Sequence, residues 1–210
     1  MAPPSSVSGP SRRGLRPCVP VVLLAIVLGG CSFDLGSWSP SADKANAPKA
    51  APTGTSVAEA LAATTRGQTL ARSGKAEEAL AEYNRALELD PHNAQALYGR
   101  GMLYQGEKQH QPAIDDFTAA NGLMPQRAEP LLARAVSYLA LDKVKEAAAD
   151  LDEAVQADPQ NGQIWTTRGL AHERLGDKAK AAESYNRALS LRPRDEAARN
   201  GLARVGGKPG

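Results

Sequence analysis

Two cysteines, three histidines and several paired acids are the side chains here that could do chemistry. Cys31 closes the stretch "LGGC", Leu28 to Cys31, at the end of an apolar run. A thiol there could be a core residue, a disulfide partner, a metal ligand or a point of lipid attachment, and as a thiolate it is a nucleophile. His92, His110 and His172 stand far apart, none four residues from another, so no helical zinc pair forms. Neither Gly-x-Ser-x-Gly nor His-Glu-x-x-His occurs. The tail "GLARVGGKPG" has the wrong glycine spacing for a phosphate loop, and Pro209 stands where Ser or Thr is needed. Paired acids such as Glu77 with Glu78 and Asp115 with Asp116 fall on expected helix surfaces, where solvation accounts for them. The expectation is a protein that is not an enzyme, with no cofactor, no metal and no small-molecule substrate.

The surroundings of Cys31 narrow its role. "SRRGLRPCVPVVLLAIVLGGC" places three arginines before an apolar stretch from Val19 to Leu28, then two glycines. That order of basic end, short apolar middle and small residues is the layout of an export signal. Ten apolar residues reach only ~15 Å as a helix, about half a bilayer core. Leu28, Gly29, Gly30 and Cys31 resemble the bacterial lipobox. The resemblance implies a signal peptide over 1–30, a diacylglyceryl group on Cys31, and Cys31 as the first mature residue. Cys18 then leaves with the signal peptide. Ser32 follows the cysteine, with no aspartate to signal inner-membrane retention. By likeness to Gram-negative sorting, this favours an envelope protein on the periplasmic face of the outer membrane.

Residues 31–57 are rich in Ser, Pro, Ala, Gly and Thr, with Pro40, Pro48 and Pro52 spaced through them. So few apolar residues cannot pay for an ordered core, which predicts a disordered tether behind the lipid. The net charge of +2 is small, and the three arginines ahead of the apolar run account for it. No basic surface remains to predict a nucleic-acid partner.

What remains is periodic. Pro91, Pro125, Pro159 and Pro193 recur every 34 residues. Ala79, Ala113, Ala147 and Ala181 share that step, as do Ala86, Ala120, Ala154 and Ala188. Between the alanines lie Tyr83, Phe117, Leu151 and Tyr185; upstream, Gly67, Gly101, Ala135 and Gly169 share a slot. Small residues let helices approach, a large one fills the gap between them, and proline ends each unit. With aromatics at 4%, the composition suits small-residue helices.

This pattern resembles the tetratricopeptide repeat family, whose unit is a 34-residue helix-turn-helix. The resemblance implies an all-α solenoid over 58–205, with repeats at 60–93, 94–127, 128–161 and 162–195. A polar capping helix over 194–204, "RDEAARNGLAR", and a flexible tail over 206–210 complete it. Trp165, Leu97 and Leu131 match the family's large residue early in the first helix, and Tyr104 and Tyr138 its later aromatic. Ala63, Leu70 and His172 depart from those slots.

Arg66, Arg100, Arg134 and Arg168 form another register, sixteen residues before Glu82, Asp116, Asp150 and Ser184. That spacing predicts inter-helix ion pairs rather than a basic stripe for an anion.

On a helical wheel, the side of each first helix away from its own partner carries Gln68, Arg72, Gln95, Tyr98, Met102, Gln105, Glu129, Leu132, Val136, Gln163, Thr166, Leu170 and Glu173. The resemblance makes this side a concave groove for a protein or peptide segment. The chaperone-tail clamp of the family needs Lys, Asn and Arg there, but its places hold Thr64, Gln68, Gly99, Glu129 and Ala133. Small repeat lipoproteins of this layout resemble those that help pili or secretion systems assemble. An adaptor for peptidoglycan enzymes is the alternative, and an enzyme the remote one.

Overall fold

A computed structural model of the chain describes residues 54–207. The signal segment, Cys31 and nearly all of the expected tether lie outside these. Among the described residues there are nine helices: α1 (Gly54–Arg72), α2 (Ala76–Leu89), α3 (Ala94–Gly106), α4 (His110–Leu123), α5 (Ala128–Ala140), α6 (Val144–Ala157), α7 (Gly162–Arg174), α8 (Lys178–Leu191) and α9 (Glu196–Arg204). They pack as consecutive pairs, α1 on α2 through α7 on α8, with α9 stacked on the last pair. The fold is all-α, as the repeat implies.

The register of the sequence becomes the register of the helices. α2, α4, α6 and α8 each have 14 residues and begin 34 apart. Each ends before the residue that precedes a proline. Asp90, Met124, Asp158 and Arg192 have φ between −131° and −139°, the extended backbone that a following proline enforces. Within each pair the turn passes through a left-handed residue: Gly74, Lys108, Asp142 and Gly176. Two backbone bonds close each turn, as in Gly176 N–H to Glu173 O and Asp177 N–H to His172 O.

Both alanine registers are fully buried, and Tyr83, Phe117, Leu151 and Tyr185 are at most 2% exposed between them. Each of these four is a wedge between its own repeat and the next. A Cβ at Gly67 or Gly99 would stand 2.9 or 2.4 Å from the Tyr83 ring; one at Gly169 or Gly201 would meet Tyr185 at 2.5 or 2.2 Å. The flanks grow as the wedge shrinks. Tyrosine lies between two glycines, Phe117 between Gly101 and Ala133, and Leu151 packs with Ala135.

The arginine register is structural. Arg100 forks onto Asp116 and Arg134 onto Asp150, each with a closest approach of 2.7 Å, and Arg66 reaches Glu82 at 2.9 Å. Arg168 donates to Ser184 at 2.7 Å and to Asp152 at 2.6 Å. The second arm reaches sixteen residues back: Arg100 to Asn84, Arg134 to Thr118, Arg168 to Asp152. Each of these three arginines therefore ties its own repeat to the one before.

Three boundaries differ from expectation. α1 begins at Gly54, inside the segment read as tether over 31–57, because a nucleated helix adds one hydrogen bond for each residue it fixes. The capping helix starts at Glu196 rather than 194, since Asp195 caps it by accepting from Ala198 N–H. The tail read as flexible from 206 begins with Gly206 at φ 80° and Gly207 N–H bonded to Leu202 O, a closed helix terminus.

Candidate functional site

A cleft of about 490 Å³ opens on the first helices of the first three repeats. Its walls are Gln68, Ala71 and Arg72 of α1, Gln95, Tyr98, Gly99, Met102 and Leu103 of α3, and Glu129 and Pro130 of α5. Tyr83 of α2 and the loop residues Met124 and Arg127 complete it. The expected groove residues Gln68, Arg72, Gln95, Tyr98, Met102 and Glu129 thus come together. Met102 is 42% exposed, whereas Ala71, Tyr98, Leu103 and Met124, apolar side chains of the same cleft, are half-buried. The Tyr98 ring is anchored by Phe117, 5.8 Å between centroids.

The other seven expected residues lie outside the cleft, and most are engaged by the array itself. Gln105 donates to Ala133 O and Ser137 Oγ, both at 2.7 Å. Thr166 donates to Asp195, and Leu132 and Leu170 pack on the core of the third and fourth repeats. Glu173 accepts from Tyr185 Oη at 2.6 Å and from Arg204 through two nitrogens. These bonds hold the Glu173 carboxyl below its ordinary range, Arg204 most strongly. Val136 and Gln163 are exposed, away from the cleft.

The cleft takes in fewer residues than that side of the wheel because each interior first helix is buried on two sides. Ala96, Pro130, Ile164 and Ala198 form a fully or nearly fully buried register. It lies beside the stripe of Leu97, Arg100, Gly101 and Tyr104 that the wheel assigned to packing.

Tyr83, Gly99, Leu103, Met124, Arg127, Pro130 and Ala71 also line the cleft but were absent from the expected groove. Arg127 was legible in the sequence. It occupies the slot of Asn93, Asn161 and Asp195, whose side chains cap α3, α7 and α9. α5 has no such side-chain bond; Arg127 instead forks onto Glu129 at 2.7 and 3.0 Å. Losing a cap costs roughly 1 kcal/mol of helix stability. The Arg127 bonds hold the Glu129 carboxyl below its usual range against some desolvation. Burial pushes the Tyr98 hydroxyl upward, and Glu129 adds to this.

Among the described residues, no cluster of His, Cys, Asp and Glu could hold a metal ion, and no helix is long and apolar enough to cross a membrane. His172 is buried, with Nε2 3.6 Å from Asp152 and no hydrogen-bond partner. The cleft has apolar walls with amides and charges at its edges. It can receive a side chain and pair with polar groups, but it holds no nucleophile beside a base.

Residues 67–106 match a family model described as TPR repeat, and residues 111–162 and 132–198 match one described as tetratricopeptide repeat. No curated protein matches the chain. Among solved structures, MamA is similar with a TM-score of 0.63 and 22% identity, over 66% of this chain and 81% of that one. YrrB, described as a TPR protein with an unusual peptide-binding site, gives 0.64 and 23% over 70% and 75%. The first TPR of Spaghetti (RPAP3), bound to the HSP90 peptide SRMEEVD, gives 0.54 and 27% over 56% and 93%. The two family models together cover more than half of the sequence, and the helices pair in the register they require. The chain therefore belongs to the tetratricopeptide repeat family.

Proposed function

We propose that this protein is an envelope lipoprotein whose repeat array binds a protein segment in the cleft between its first three repeats. Cys31 carries the lipid, the segment behind it acts as a tether, and the periplasmic face of the outer membrane is its site. Its role is to help assemble an envelope machine such as a pilus or secretion system. The observation that carries the binding reading is the cleft itself, where Met102 stands exposed among half-buried apolar residues. Sulfur-bearing and aromatic side chains are common anchors at interfaces. The likeness to YrrB and to the peptide-bound Spaghetti domain supports a peptide as the occupant. The anchor rests on "LGGC" behind its apolar run.

Two arms test the proposal. Cys31→Ser should abolish palmitate labelling and move the protein from membrane to soluble fractions; a mutant still labelled and membrane-bound refutes the anchor. A photo-crosslinker at Met102 should give a discrete protein adduct in intact envelopes, while one at the exposed Ala149 of α6 should not. Equal adducts at both sites refute the cleft. The identity of the adduct separates a machine subunit from a cell-wall enzyme.

A further inference from the structure

We propose that Tyr83 and Arg72 form a carboxylate-binding subsite in this cleft, which takes a glutamate or aspartate side chain of the bound segment while a neighbouring apolar side chain rests on Met102 and Met124. This deepens the groove reading above and rests on it.

The protein carries its own template for the contact. Among the four wedge residues only Tyr83 and Tyr185 bear a hydroxyl. Both rings are held alike, between Gly67 and Gly99 in one case and Gly169 and Gly201 in the other. Tyr185 Oη donates to Glu173, twelve residues before it, at 2.6 Å. Arg204 neutralises that carboxylate at 2.6 and 3.0 Å. The residue twelve before Tyr83 is Ala71, which has no carboxylate. Among the described residues, the Tyr83 hydroxyl and the Arg72 guanidinium have no hydrogen-bond or ion-pair partner.

The cation is in place as well. At the fourth repeat it comes from α9; at the first it is Arg72, at the end of α1, which lines the same cleft as Tyr83. Burial raises the Tyr83 hydroxyl and the Arg72 charge lowers it, as burial raises Tyr185 and Arg204 lowers it. What the first repeat lacks is the acid; Ala71 is half-buried beside the core around Tyr83 and also lines the cleft. A tyrosine hydroxyl and a guanidinium on one carboxylate give charge-assisted hydrogen bonds, stronger than neutral ones. The walls beyond them, Tyr98, Met102, Leu103 and Met124, suit an apolar neighbour on the same segment. A side-chain carboxylate is the committed ligand because Glu173 supplies one at the template.

The test uses the chain carrying Cys31→Ser, so that binding is read in solution. The probes are acetylated, amidated pentapeptide mixtures with Glu at the centre and Leu, Val, Met or Phe at the flanking positions. Matched mixtures carry Gln at the centre, or carry Gln and a free C-terminal carboxylate. The readout is the Met102 and Met124 methyl signals by NMR. The Glu mixture should bind about tenfold more tightly than the Gln mixture, and Tyr83→Phe or Arg72→Gln should each remove most of that preference. Ala71→Glu should copy the fourth repeat, raising the melting temperature and blocking the Glu mixture. If Glu and Gln mixtures shift both methyls with equal affinity, the subsite is wrong and the groove stands. If no mixture moves them, both are wrong. Tighter binding of the free C-terminus assigns the pair to a chain end and overturns the side-chain reading.

Discussion

The arginine register offers one experiment done four times by the protein, with burial as the variable. Arg134 and Asp150 have side chains 14% and 10% exposed, whereas Arg66 and Glu82 are 48% and 23% exposed. Arg134→Ala removes both bonds to a buried carboxylate and leaves it unpaired. Breaking such a pair costs about 3 kcal/mol or more, because the remaining charge keeps its desolvation penalty. Arg66→Ala leaves Glu82 within reach of water, so its loss is ~0–1 kcal/mol. Unfolding entropy near 2.1 cal/mol/K per residue gives roughly 0.3 kcal/mol/K for an array of this size. The expected fall in melting temperature is therefore about 10 °C for Arg134→Ala and about 3 °C or less for Arg66→Ala. Arg100, with Asp116 at 24% and 8%, should come between them or close to Arg134. Urea and thermal unfolding of these three variants measure this, with far-UV circular dichroism checking that helix content is retained. The double variant Arg134→Leu with Asp150→Leu should recover most of the loss, since it leaves no orphaned charge. Equal losses at Arg66 and Arg134, or no recovery in the double variant, would falsify the claim that burial sets the strength of each rung.

Gly101→Ala alone sets a Cβ 2.7 Å from the Phe117 ring and should destabilise by about 1 kcal/mol, overpacking exceeding the gain in helix propensity. Adding Phe117→Leu copies the Ala135–Leu151 pairing of the third repeat, so a double-mutant cycle in urea should show coupling of ~1 kcal/mol, and strict additivity would refute the wedge rule. Lys108→Gly and Asp142→Gly relieve φ angles of 61° and 58°, and each should raise stability by about 0.5–1 kcal/mol in urea unfolding. His172 titrates below its ordinary value because burial, then Arg168, disfavours its charge, with Asp152 opposing and Lys180 adding to the effect. Its folded pKa is thus depressed: stability is full above the unfolded pKa of 6.5 and falls as pH drops below it. His172→Tyr, which restores the slot of Tyr104 and Tyr138, should flatten the unfolding midpoint between about pH 7 and pH 5; an unchanged slope refutes it.

Much of this architecture is readable in one dimension because each repeat touches only its neighbours. The contact of Tyr83 with Gly67, and the pairing of Arg134 with Asp150, are intervals of sixteen that reappear 34 residues on. Periodicity also identifies the prolines, since Asp90 and its equivalents must be extended before them. The groove was less legible for a physical reason. A helical wheel has one packed side and one free side, but an interior first helix also meets the preceding repeat. Ala96 and Ile164 look unremarkable as single residues, yet they are fully buried, and Gln105 and Thr166 are spent on the next repeat's backbone or cap.

The residues that break the repeat point to the cleft better than those that obey it. Arg127 abandons a cap that α3, α7 and α9 all have, and it faces the cleft. Ala71 stands where Glu173 satisfies a tyrosine hydroxyl, and it faces the same cleft. Each departure forgoes an internal bond that the array makes elsewhere. In a structure whose stability comes from repeating one arrangement, such omissions concentrate where the surface must stay open to something outside the chain. At the other end, Glu173, Tyr185 and Arg204 close the corresponding position from within. The array thus has one end closed from within and another where a cleft stays open, and it is at that open end, over the first three repeats, that we propose a partner binds.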